Sequence, residues 1–114
     1  MPATTFVAPI LPGRTEAWKQ AVQEITGSRK SEYEESRRRM GVTREIGSLQ
    51  LTPEGDYVVV CLEADDPDEI ISRILTSDAP FDRWFAETVL KGVHGIGGAQ
   101  EPPPPNQVFL DWKA

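Results

Sequence analysis

Apolar and polar positions change period along this chain, and the changes mark its elements. Phe6-Val7-Ala8-Pro9-Ile10-Leu11 is a short apolar run ended by Pro12-Gly13. It predicts an edge strand, because Pro9 has no N–H to give a central ladder. Thr15 and Glu16 follow with a capping oxygen and a negative charge, which open a helix. On it Trp18, Val22 and Ile25 recur at helical spacing. The same stripe continues through Arg29, Tyr33, Ser36 or Arg37, and Met40, so it starts apolar and turns polar. Gly27-Ser28 at the changeover predicts a kink or a division of the helix, with Ser31 and Glu34 spaced as a second capping box. Gly41 marks its end.

Two strands come next, Val42 to Leu51 and Tyr57 to Ala64, around a Thr52-Pro53-Glu54-Gly55-Asp56 turn. Tyr57-Val58-Val59-Val60-Cys61-Leu62 is apolar on both alternating faces. Such a strand is central and covered on both sides. Helices of the same chain can cover one side only, so the other calls for a second sheet from another subunit. Asp66-Pro67-Asp68-Glu69 is a helix start, followed by the inward face Ile70, Ile71, Ile74 and Leu75. A further helix carries Phe81, Trp84, Phe85 and Val89 and stops near Gly92. Residues Gly95 to Asn106, with prolines at 102 to 105, read as an extended linker. Gln107 to Trp112 reads as a last strand. The order is β-α-β-β-α-β, a ferredoxin-like α+β domain with an antiparallel sheet spanning residues 1 to 114.

The balance of 18 acidic to 12 basic residues, a formal charge of -6, argues against nucleic acid as a partner, since phosphate backbones need a clustered basic face. Arg37-Arg38-Arg39 is partly offset by Glu32, Glu34 and Glu35 on the same helix. A single cysteine, Cys61, excludes an intrachain disulfide and fits a reducing compartment. No run approaches the length of a membrane span, and the first residues lack the pattern of a signal peptide. The expectation is a cytoplasmic protein without a membrane partner.

Candidate chemistry is sparse. His94, the one histidine, stands between a helix-ending glycine and Gly95, where an imidazole can serve a pocket mouth as acid or base. Tyr33 and Arg37, four residues apart, would emerge together where the helical stripe turns polar, and could hold an enolate, a carboxylate or a phenolate. Glu63 ends the apolar central strand close to Arg44 or Glu45 of the hairpin. Turned inward it would be a general-base candidate, with Arg44 beside it for substrate. Trp84, with Phe81 and Phe85, offers an aromatic face on which a flat ligand can stack. No metal cluster, phosphate loop or dinucleotide fingerprint is present, and the reading calls for no cofactor.

The succession Pro12-Gly13-x-Thr15-Glu16-Ala17-Trp18, Ser36-Arg37-Arg38-Arg39-Met40-Gly41, Leu62-Glu63-Ala64-Asp65-Asp66-Pro67, Phe81-Asp82-Arg83-Trp84-Phe85, His94-Gly95 and Leu110-Asp111-Trp112 resembles an uncharacterised bacterial family of the dimeric α+β barrel superfamily. The resemblance implies two copies with their sheets face to face and a cavity between each sheet and its own helices. Superfamily members include cofactor-free monooxygenases, polyketide cyclases, lactone isomerases, haem-binding enzymes and stress-response proteins, so fold alone assigns no reaction. Three expectations follow. The first is a cofactor-independent enzyme acting on an aromatic or polyketide-like molecule. The others are a non-catalytic homodimer binding a ligand or partner, and a haem-binding protein.

Overall fold

The computed structural model describes residues 2–98 and 101–114. Its elements are β1 (Ala3–Pro9), α1 (Thr15–Thr26), α2 (Lys30–Arg39), β2 (Val42–Thr52), β3 (Gly55–Ala64), α3 (Ile70–Thr76) and α4 (Pro80–Phe85). A 3₁₀ turn, Pro67–Glu69, leads into α3, and a π-helical stretch, Ala86–Lys91, prolongs α4. No helix among the described residues is long and apolar enough to cross a membrane.

The sheet is antiparallel in the order β1-β3-β2, which makes the doubly apolar β3 central. Ile10 N–H donates to the Asp56 carbonyl, and Phe6 and Ala8 are partners of Val60 and Val58. The odd-numbered residues of β1 therefore turn their backbone groups to the open edge, and that is where Pro9 stands without an N–H. Alternation divides the sheet cleanly. Phe6, Ala8, Val58, Leu62 and Ala64 are buried under the helices. Thr5, Val7, Val59, Cys61 and Ile46 form the outer face, where Ile46 is 39% exposed.

The long helical stretch is divided at Gly27, and both halves keep the stripe inward: Ala21, Ser36, Arg37 and Met40 are buried. Neither half uses the capping expected of it. Thr15 is already helical and its hydroxyl donates to Asp56, while α2 begins at Lys30, one residue ahead of Ser31. Gly41 closes α2 with φ of 78°, a left-handed turn that glycine takes without strain.

The last strand is a correction. Gln107–Trp112 forms no ladder, and Val108, Phe109, Leu110 and Trp112 are 60 to 94% exposed. The chain reaches the open edge of β1 only at Asn106, whose N–H donates to the Thr5 carbonyl. With prolines at 102, 103, 104 and 105, the approach to that edge lacks four donors in a row. An isolated apolar segment beyond it gains too little from one edge to offset its ordering.

Candidate functional site

The stripe of α1 and α2, the inner face of the sheet and the α4 extension enclose a cavity of about 350 Å³. Its wall is mostly aliphatic and aromatic, from Phe6, Trp18, Ile25, Val60, Ile71 and Phe85 among others. Polar groups enter it from Thr26, Tyr33, Glu45 and His94. An apolar pocket with few polar groups is the usual form of a small-molecule site.

Glu45 organises one end. It stands opposite Leu62 in the ladder, on the inner face, and its Oε1 accepts from Tyr33 Oη and from Arg37 Nε, each at 2.7 Å. Burial, and secondarily the adjoining carboxylate, push the Tyr33 phenol well above its ordinary range, with Arg37 opposing, so it stays protonated. Arg37 is 4% exposed and lies behind Glu45, outside the lining; its Nη1 donates to Ser36 Oγ at 3.1 Å and its guanidinium sits over the rings of Tyr33 and Phe85. Nη2 has no partner among the described residues.

His94 holds the other end, where the chain leaves the π-helical stretch. It is 4% exposed, and its Nδ1 lies 2.8 Å from the Pro9 carbonyl oxygen. A carbonyl only accepts, so Nδ1 carries the hydrogen and Nε2 keeps its lone pair. Burial holds the ring below the ordinary histidine pKa, against the weaker pull of that hydrogen bond. The unfolded chain thus takes up a proton near pH 6.5 that the folded chain refuses, and stability falls as pH drops through that value. Urea unfolding between pH 7 and 5 should show this slope in the natural chain and lose part of it in His94→Gln. Parallel slopes would mean that His94 is no part of it.

The candidates do not all meet at this cavity. Tyr33 and His94 line it, and Arg37 supports it from behind. Glu63 does not: it lies between the inward Leu62 and Ala64 and is the ladder partner of Arg44, so both turn to the outer face. The carboxylate on the cavity side of the hairpin is instead Glu45, the partner of Leu62, one ladder position from Glu63 and on the opposite face of the sheet. Trp84 lies outside the lining, tilted against Phe81 at 5.6 Å with Arg29 4.3 Å above it. It packs within the helical layer and does not line this cavity.

No family model and no curated protein matches the chain. A solved structure does: tetracenomycin F2 cyclase from Streptomyces glaucescens, a type-II polyketide cyclase, aligns over 100% of this chain and 99% of its own, at 20% identity and a TM-score of 0.57. The chain shares the fold of that cyclase. At this identity the likeness establishes the α+β architecture, and the chemistry must be argued from the cavity.

Proposed function

We propose that this protein binds a flat, largely apolar, polyketide-like molecule in the cavity and catalyses its cyclisation by proton transfer. The observation that carries this reading is a buried neutral imidazole with a free Nε2 at one end of an apolar cavity that holds a Tyr33–Glu45–Arg37 cluster at the other. The fold shared with a polyketide cyclase supports it. A methylene between two carbonyls is acidic enough for an imidazole to take its proton. Nε2 removes that proton, the carbanion forms a C–C bond to a carbonyl carbon of the same chain, and the resulting alkoxide takes the proton back from the imidazolium. The apolar walls fold the chain so that the reacting carbons meet. These steps use groups the protein itself supplies.

Incubation with a synthetic linear triketone, followed by absorbance and mass spectrometry, tests this. The natural chain should accelerate ring formation over buffer, and His94→Gln should lose about 100-fold or more. An equal rate in His94→Gln, or none above buffer, would overturn the assignment. A rate that needs dissolved oxygen would indicate a monooxygenase.

We further infer a homodimer joined through the outer sheet face. Val7, Ile46, Val59 and Cys61 form an apolar patch there that no element of the described chain covers, and the exposed apolar tail beyond Asn106 adds surface beside the β1 edge. Sedimentation should give twice the 12.7 kDa chain mass, and Val59→Arg should give the single-chain mass by placing a charge in the contact. A natural chain that sediments as a monomer at micromolar concentration would refute it.

A further inference from the structure

Apart from Trp18, each polar side chain lining the cavity has its own hydrogen already committed or has none. Tyr33 Oη gives its hydrogen to Glu45, and Thr26 Oγ1 donates to the Val22 carbonyl at 2.8 Å. His94 gives its Nδ1 hydrogen to Pro9, which leaves a bare Nε2. Glu45 is an acceptor throughout: Oε1 takes both of its bonds, while Oε2 has none among the described residues. The nearby cation, Arg37, stands behind Glu45 and outside the lining. One lining donor remains without a partner among the described residues, the indole N–H of Trp18, and it is neutral.

Glu45 stands at the level of Leu62 and the His94 anchor, Pro9, at the level of Tyr57. That is five residues along β3, on the order of 16 Å between ladder positions. The acceptors therefore stand at opposite ends of an apolar space.

From this we infer that the cavity selects neutral ligands that donate hydrogen bonds at both ends, an enol or phenol hydroxyl to Glu45 and another to His94, and rejects carboxylates and phosphate esters. The inference rests on the reading of the cavity as a ligand site and names the polarity of what enters. A hydroxyl offers each acceptor its missing hydrogen. A carboxylate brings a second anion against Glu45, with no free cation to receive it, and such a mismatch is a strong means of exclusion.

The test is calorimetric titration at neutral pH with three naphthalenes substituted at opposite ends: a diol, its dimethyl ether and the matching dicarboxylate. The diol should bind at least about 10-fold tighter than the ether and at least about 100-fold tighter than the dicarboxylate. Glu45→Gln, which offers an amide N–H in place of a charge, should narrow the gap to the dicarboxylate by about 10-fold. Should that variant not fold, the three ligands on the natural chain decide the matter. Ether or dicarboxylate bound as tightly as the diol would overturn the inference while leaving the site intact. No binding by any of the three would overturn the ligand site itself, and this inference with it.

Discussion

Replacing Asp82 by alanine should destabilise the protein by about 3 kcal/mol, enough to remove much of the stability of a domain this size. The side chain is 0% exposed in the first turn of α4, yet it is fully engaged. Oδ1 accepts from Ser36 Oγ at 2.5 Å, and Oδ2 from Arg39 Nη1 at 2.9 Å and Ser77 Oγ at 2.6 Å. One carboxylate thus ties α2, the turn before α4 and α4 itself together. Its loss strands the Ser36 hydroxyl, itself 0% exposed, away from water, and leaves a void that the surrounding helices only partly close. Arg39 is 44% exposed at its side chain and regains water, which keeps the cost below that of a wholly buried pair. Asp82→Asn retains the shape and part of the bonding and should lose about half as much. The shift in urea midpoint measures both. A change under about 0.5 kcal/mol for the alanine variant would show that the network contributes nothing.

Glu45→Ala should cost about 3 to 5 kcal/mol, because it leaves the Arg37 guanidinium buried with a serine hydroxyl as its remaining partner. The cost comes from the stranded charge, since the attraction within the pair is largely offset by its desolvation. The double variant Arg37→Met with Glu45→Leu removes both charges and keeps the apolar volume. It should recover most of the stability while ending ligand discrimination. Thermal unfolding of the two single variants and the double variant completes a cycle, and simple additivity of the single losses would contradict this account.

The two predictions fall on either side of Arg37, and together they show how the polar half of the helical stripe is used. Ser36 joins the structural Asp82 network and also accepts from Arg37. Arg37 in turn holds Glu45 against Tyr33 at the cavity wall. Structural and candidate functional groups therefore share one continuous set of hydrogen bonds, from α4 through α2 to β2.

Much of this was legible from the residues in order. The 3.6 period of Trp18, Val22, Ile25, Tyr33, Arg37 and Met40 determined which face of two helices turns inward, and Gly27 where they separate, because spacing along a helix is local geometry. The apolar faces of residues 57 to 62 determined a central strand, and Pro9 an edge. Tyr33 and Arg37 were legible as candidates where the helical stripe turns polar, and His94 as the one histidine, just after a helix-ending glycine.

The last strand failed because an apolar run signals a need for burial without saying what buries it. The site's carboxylate was decided by a bulge. Val42 is the partner of Ala64, and continuing that register would put Arg44 opposite Leu62, on the cavity side, with Glu45 outside. A shift of one residue between Val42 and Arg44 instead pairs Arg44 with Glu63 and Glu45 with Leu62. Because side chains alternate with a period of two, one added residue exchanges the faces of all that follow. The composition of this hairpin determined that one charged residue would meet the cavity. Only the register of the folded sheet decided that the charge is negative.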